Sequence, residues 1–433
     1  LKETCNKSLK LRIFPSREQE ELIVKTFGCC RLVYNSYLKE RIDFFENVIS
    51  KIPKEDKDLR LKAYKSFKYS NLKEKYKFLD EVSAQALCQS RVNLEKAFLN
   101  FFKSANGIYK GKYNFPKFKS KKNNSLSYRE GQPSKTALCW FHRLVKIPKL
   151  GKVKFSHDSL PKWYSSKAKL CNITLERKPS GKYYAVLLFE IEKPEYKVSG
   201  RKPVIGLDFS PTNLYVNSEG ETGKDFGFVA VKQANSKKLA KFQRALARKK
   251  PSSKNREKAK TKLARFEEQI VFKRKEFIEK ETLRLVKSYD KIVIENLDLK
   301  SMAKFLPNAK NLVDTSWATF VSRLEQKGKD YNCEIIKADR FFPSSQLCSK
   351  CGFQNKALKL SQRVWTCSNC KSKLDRDLNA AINLKNYILS ERQEFRPAKD
   401  CKQSNAGSQC ELKSAETGIC AGDCQEEGAR PLV

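Results

Sequence analysis

The spacing of apolar and polar positions divides the first half of the chain into two textures. "LKLRIFPS" alternates apolar and basic residues as a strand does, and Pro15 ends it. "SREQEELIVKTFGCCRLVYNSYLKERIDFFENVI" then carries apolar residues at helical spacing. Ser16 is placed to cap this helix, and Glu20 and Glu21 load its first turn. "LRLKAYKSFKYSNLKEKY" and "VSAQALCQSRVNLEKAFLNFFKSA" predict further helices whose aromatics pack a core. After "YNFPKFKSKKNNSLSYRE" the texture turns to β. "LVKIPKLGKVKFS" is β-rich, and "LCNITLERKPSGKYYAVLLFEIE" reads as a hairpin turned at Ser180–Gly181. The N-terminal half is therefore a β module interrupted by a helical insertion.

"SGRKP" at Ser199–Pro203 marks the next boundary. Beyond it "VIGLDFSPTNLYVNSEG" predicts two strands with a turn at Ser218–Gly220. The tract from 233 to 288 is helical and dense in Lys and Arg, and "PSS" folds it into a hairpin. The strand "KIVIENLDL", the helix "WATFVSRLEQKGKDY", the strand "CEIIKADRFFPS", a cysteine-rich segment and a final helix, "NAAINLKNYIL", complete the pattern. From about Glu391 the tail is polar, aperiodic and rich in Gly, Ser and Gln, the composition of a disordered segment.

Charge changes the picture most. The chain has 433 residues, 89 Lys and Arg against 48 Asp and Glu, and a net charge of +41. Repulsion on that scale opposes compaction unless a polyanion offsets it, which points to nucleic acid as the partner. Fifteen cysteines are an odd count in a long chain with no legible signal peptide, which argues against a secreted disulfide scaffold. Adjacent Cys29 and Cys30 read as buried free thiols in a helix. No apolar run approaches the roughly 20 residues that span a bilayer. The expected location is cytoplasmic, with the nucleoid.

Two elements carry chemistry. Cys348 and Cys351, separated by fifteen residues from Cys367 and Cys370, have zinc-ribbon spacing. Each pair forms a knuckle, Gly352 permits the sharp turn after the first, and four thiolates close the shell of a structural ion. The competing reading is a redox dithiol or chance pairing. The second element is a set of acids. Asp208 ends "VIGLD" and Glu295 ends "KIVIE", two β-branched runs typical of strands buried on both faces. Asp377 opens the last helix, directly before "LNAAINL", whose alanines let it lie close to a sheet; Asp375 competes with it as cap or supporting partner. An acid at a strand end is ordinarily a turn or cap residue. Three together are the arrangement of a ribonuclease-H-like nuclease, holding two Mg²⁺ for phosphodiester hydrolysis. The only histidines are His142 and His157, which counts against a histidine nuclease or a Ser-His-Asp hydrolase.

"GLDFS", "VIENL", the paired cysteines and "DRDLNAAINL", in that order, resemble the TnpB (OrfB) family of insertion-sequence proteins, relatives of the type V CRISPR effectors. "LRIFPSREQEELIVKTFGCCRLVYNSYL" and "FPKFKSKKNNSLSY" extend the resemblance to all but the tail. It implies an α/β chain: a RuvC-like nuclease domain at 199–342 and 373–390 with a nested zinc ribbon at 343–372. It also implies a β-barrel wedge domain at 1–15 and 131–198, a helical recognition lobe at 16–130, and leaves 391–433 as the tail. The implied activity is RNA-guided cleavage of double-stranded DNA beside a short transposon-adjacent motif. The guide RNA comes from the transposon end, and the complex is expected to hold one protein copy. Asp208, Glu295 and Asp377 match the family's metal-binding acids. Gln85 and Gln89 are candidates for reading the DNA motif, or else ordinary solvent-facing positions. Lys117, Lys119, Lys121 and Lys122 form a basic loop suited to nucleic acid. The alternatives are a DDE-type transposase, which joins strands without RNA, and an RNA-guided regulator that binds without cutting.

Overall fold

The computed structural model describes residues 4–298 and 316–391, apart from short stretches at 54, 109–112, 122–125, 132, 134–136, 157–160, 162, 165–166, 194–195, 197, 212, 224–227 and 360. Lys122, His157 and the tail beyond residue 391 lie outside the described residues.

Strand β1 (Thr4–Phe14) alternates exposed and buried positions, as its sequence demands. It lies at the middle of a seven-stranded antiparallel sheet with β2 (Leu126–Gly131), β3 (Leu138–Cys139), β4 (Leu144–Ile147), β5 (Gly151–Ser156), β6 (Lys169–Arg177) and β7 (Tyr183–Glu192). The order is β2-β6-β7-β1-β5-β4-β3. Strand β2 joins this sheet five residues ahead of the boundary expected at 131, because Tyr128 and Glu130 face inward. Gly181, at φ +81°, turns the β6–β7 hairpin where the sequence placed it.

Helix α1 (Arg17–Asn47) opens on a capping box: the Ser16 side chain accepts from Gln19 N, and the Gln19 side chain accepts from Ser16 N. Its Ile23, Phe27, Cys29 and Cys30 pack into the sheet's core with Ala86 and Leu87 of α4 (Ala84–Ala105). Both cysteines are free, and burial pushes the Cys30 thiol up to about 12. The stretch expected to be one helix divides into α2 (Lys57–Ser66) and α3 (Leu72–Lys75). Between them the Phe67 and Tyr69 rings reach Phe44 and Tyr37 of α1, at 4.9 and 4.4 Å, and the alternation of those two rings suits extended chain.

The second sheet has the order β11-β10-β8-β9, formed by β8 (Lys202–Ser210), β9 (Leu214–Asn217), β10 (Tyr289–Ile294) and β11 (Glu334–Lys337). Strand β10 runs parallel to both β8 and β11, while β9 is antiparallel to β8. Helices α5 (Phe228–Ala247) and α6 (Lys254–Ser288) form the expected hairpin, with Ser253 capping α6. One face of the sheet (Ile205, Leu207, Ile292, Ile294) packs on α6 and on α7 (Trp317–Tyr331). The other face (Val204, Val293) packs on Leu384 of the closing helix α8 (Arg376–Glu391). The N-terminal sheet meets α6 through Glu268, which pairs with Lys182 and accepts from the Tyr184 hydroxyl. No described helix is long and apolar enough to cross a membrane.

Candidate active site and metal centre

Strand periodicity places the first two acids. On β8 the even-numbered residues Val204, Gly206 and Asp208 point toward α8; on β10 Val293 points the same way, and Glu295 follows it by the same alternation. Leu207 and Ile294 are register partners, so Asp208 and Glu295 stand side by side one step further along. Both lie at the carboxyl ends of parallel strands, where open α/β sheets place their ligands.

The third acid arrives by close packing. A Cβ on Gly206 would sit 2.1 Å from the Ala381 carbonyl oxygen and 2.5 Å from the Lys385 nitrogen. Only glycine admits the α8 backbone so near, with buried Ala380 and Ala381 on the facing helix surface. Asp375 caps the helix, its Oδ1 accepting from Asp377 N at 3.1 Å and Leu378 N at 2.9 Å. Asp377 is thereby spared capping duty, and its charge reaches Asp208 and Glu295.

Asp208 and Glu295 feel the charge of Asp377. Burial, followed by the charges of Glu295 and Asp377, raises Asp208 well above the usual carboxylate range. Glu295 is also raised, chiefly by burial, although the Ser344 hydroxyl and a shared hydrogen bond with Asp208 oppose the shift. Ser344 Oγ donates to Glu295 Oε1 at 3.0 Å. Asp377 is paired with Arg363 at 3.0 Å and Arg376 at 2.9 Å. Buried acids with hard oxygen donors and too little compensating charge fit divalent cations. The three acids do not gather their oxygens as tightly as the thiols described next. A pair of ions about 3.5–4 Å apart spans such a wider set.

Cys348, Cys351, Cys367 and Cys370 bring their sulfurs within 4.8 Å of one another, the one such group of three or more ligands among the described residues. The Cys348–Cys370 and Cys351–Cys367 separations are 3.6 Å. A tetrahedral zinc with bonds of about 2.3 Å sets its sulfurs about 3.8 Å apart, so the thiols fit that ion. The two knuckles repeat one geometry: Gly352 N donates to Cys348 O and Lys371 N to Cys367 O, at φ values of +75° and +56°. Hydrogen bonds from the Ser372 side chain and backbone pull the Cys370 thiol down to about 6, toward the thiolate a metal needs. Trp365 and Leu374, on the short β12–β13 ladder (Val364–Thr366 with Lys373–Asp375), pack beside Cys348 and Cys367 in a core too small to fold alone.

Two buried asparagines, unremarked in the sequence, join the ribbon to α8. Asn379 Oδ1 accepts from Ser349 N at 2.8 Å, and its Nδ2 donates to Leu347 O at 2.6 Å. Asn383 Nδ2 donates to Ser344 O and Leu347 O at 2.8 and 2.7 Å. The path Glu295–Ser344–Asn383–Leu347–Asn379–Ser349 thus ties an acid to the first knuckle. Their spacing of four residues, which sets them on one helix face, is the sequence signal that would have found them. Removing the metal with a thiol-directed chelator is expected to abolish amide-exchange protection across 347–375 and in the first turn of α8. Protection that survives in protein shown by metal analysis to lack zinc would refute this bracing.

The candidate nucleic-acid residues fall into separate environments. Gln89 and Lys119 line one polar pocket with Arg31 and Arg129. Gln85 and Gln89 both lie beside Gly131, while Gln85 itself is exposed. The Lys119 ammonium is folded 4.0 Å over the Tyr34 ring, and burial lowers its pKa. Lys117 and Lys121 are exposed, and so is Lys119 as a whole residue, its ammonium alone being tucked against the ring.

A mixed α/β architecture with a four-cysteine ribbon set between a parallel sheet and its closing helix has the fold of the Cas12-type effectors. The chain superposes on the cryo-EM structure of the Cas12f1-sgRNA-target DNA complex with a TM-score of 0.50 and 15% identity, over 88% of this chain and 99% of that one. Residues 317–384 match the family described as "Cas12f1-like, TNB domain". Residues 187–306 match the OrfB family of IS605 elements, described as "Probable transposase", and 5–47 match its "Helix-turn-helix domain", although here they form one strand and one long helix. A Streptomyces pristinaespiralis protein named "Putative RNA-guided DNA endonuclease" is 31% identical over 378 residues, 87% of this chain and 88% of the relative. The Escherichia coli K12 protein "Putative RNA-guided DNA endonuclease InsQ" is 26% identical over 393 residues, 87% and 91% of the two chains. The chain belongs to the TnpB (OrfB) family of insertion-sequence proteins.

Proposed function

We propose that this protein is an RNA-guided DNA endonuclease that hydrolyses phosphodiesters with two Mg²⁺ ions held by Asp208, Glu295 and Asp377. The observation that carries this reading is the convergence of three acids, from two strands and a helix, on one face of the second sheet, where burial and the charges of Glu295 and Asp377 raise the proton affinity of Asp208. Asp208, Glu295 and Asp377 would hold these ions, which would supply an activated water and offset charge on the leaving 3′-oxygen. The chain's own groups prepare that site. Ser344 orients Glu295, Asp375 frees Asp377 from capping duty, and Arg363 and Arg376 balance the Asp377 charge until a cation arrives.

The segments 199–342 and 373–390 then act as a RuvC-like nuclease domain, with 343–372 as a target-binding zinc ribbon. The strands at 1–15 and 126–198 act as the wedge, and 16–125 as the recognition lobe. A net charge of +41 suits a protein that grips a guide–target heteroduplex by its backbone and shape, leaving sequence to base pairing. Gln85 and Gln89, beside Gly131, would read the short DNA motif, with Lys117, Lys119, Lys121 and Lys122 along the backbone. The complex is cytoplasmic, associated with the nucleoid, and contains one protein copy.

The test begins with RNA. Sequencing the RNA that co-purifies with the protein is expected to return one species with a variable guide end. DNA matching that guide, flanked by randomised sequence, is expected to be cut in Mg²⁺ beside one short motif and left whole in chelator. Cutting or strand joining by RNA-free protein would instead favour the transposase reading.

A further inference from the structure

Phe341 is 86% exposed, an unusual state for a phenyl ring on a pinned loop. The loop follows β11 and is fastened on both sides of the ring. Phe341 N donates to Asp339 Oδ1 at 2.8 Å, and Asp339 N donates to the Tyr387 hydroxyl at 3.3 Å. The next residue, Phe342, turns inward and packs edge-on against Tyr387 at 5.0 Å. Ser344 follows, and its hydroxyl holds Glu295 at 3.0 Å. Three residues of chain reach at most about 11 Å, so Phe341 stands within a few nucleotides of the acids. Arg340 lies beside it, its guanidinium 6.0 Å from the ring centroid and 3.8 Å from Asp298.

A rigidly presented aromatic face with an adjacent cation is what an unpaired base requires: a stacking surface and a charge for its phosphate. Inside a duplex the bases are stacked on each other, so the face that suits this ring is that of an unpaired base. We propose that Phe341 is a stacking platform for an unpaired base of the DNA strand delivered to Asp208, Glu295 and Asp377, with Arg340 meeting the neighbouring phosphate. The inference rests on the nuclease reading for the direction in which the strand runs, and on the loop itself for the contact.

The test uses the protein–RNA complex and target DNA carrying 2-aminopurine at successive positions around the cut. Stacking is followed by fluorescence quenching in an Asp208→Asn background, so that DNA stays whole. Quenching is expected at one position, lost in Phe341→Ala and Phe341→Leu, and retained in Phe341→Trp. In the cleaving protein Phe341→Ala is expected to raise the KM for a pre-unwound strand about 5- to 150-fold, the effect of one lost base–aromatic stack. Binding of the guide RNA itself stays unchanged. Quenching that persists in Phe341→Ala, or a Leu variant that behaves as wild type, overturns the proposal. If the wild-type complex never cuts DNA but quenching still depends on the ring, the stacking site stands and the nuclease reading fails.

Discussion

Asp208→Asn is expected to lower Mg²⁺-dependent cleavage by about 10²–10³-fold or more, while RNA and DNA binding persist and the metal-free protein becomes more stable. The opposite signs share one cause. Asp208 is buried, touches Glu295 and feels Asp377, so its ionised form is disfavoured in the folded chain. A folded-state pKa raised above the unfolded value means that the native protein holds a proton the unfolded chain has released. Stability then falls as pH rises from the ordinary carboxylate range toward the raised value. An amide keeps the shape and removes that penalty. Melting curves in chelator at pH 4 and pH 8 are the measurement. The variant is expected to melt a few degrees above wild type at pH 8, and the gap is expected to close toward pH 4. Mg²⁺ reverses the ranking, because a cation that binds only the native acids raises the wild-type melting temperature and leaves the variant's unmoved. Equal Mg²⁺-induced shifts in both proteins would falsify the assignment of Asp208 as a metal ligand.

Gly206→Val carries the second large effect, at a residue that touches no substrate. Its side chain has no room, since the nearest atoms are the backbone of α8 at 2.1 and 2.5 Å. Backbone cannot swing aside as a flexible side chain does, so helix and strand must separate. The helix carries Asp377 and the Asn379 anchor in its first turn and the Asn383 anchor to the ribbon one turn further on. A displacement of about 1 Å at a reacting group costs about 10²-fold in rate. Overpacking a close contact adds about 1–3 kcal/mol of destabilisation. Cleavage by Gly206→Val is therefore expected to fall about 100-fold or more under conditions where urea titration shows the protein still folded. Gly206→Ala meets the same backbone atoms with less bulk and falls between. Wild-type cleavage by a folded Gly206→Val protein would show that the α8 contact does not position Asp377.

The candidate site was unusually legible in the sequence because its parts are local signals. A carboxylate directly after a β-branched run marks the end of a buried strand, and two CxxC pairs fifteen residues apart define a metal shell through their spacing alone. The helices α1, α4 and α6 were legible for the same reason, each with a serine cap and a regular apolar stripe. Local signals failed where distant residues competed. Phe67 and Tyr69 satisfy a helical pattern, yet they leave the helix to reach rings on α1. Strand β2 was hidden behind basic loop residues, because its inward residues, Tyr128 and Glu130, are not the aliphatic pair that marks a strand.

The chain's order of residues by itself determined the ingredients: three acids on three elements, four thiols in two knuckles, and an excess of positive charge that calls for a polyanion. Tertiary structure decided their relation. The parallel register of β8 and β10 sets Asp208 beside Glu295, and the absence of a Cβ at Gly206 lets α8 bring Asp377 toward them. Buried asparagines then bind that helix to the zinc ribbon. The physical reason is range. Spacing along a chain encodes contacts within a few residues, whereas a backbone approach across some 175 positions is specified only by the packing of the folded whole.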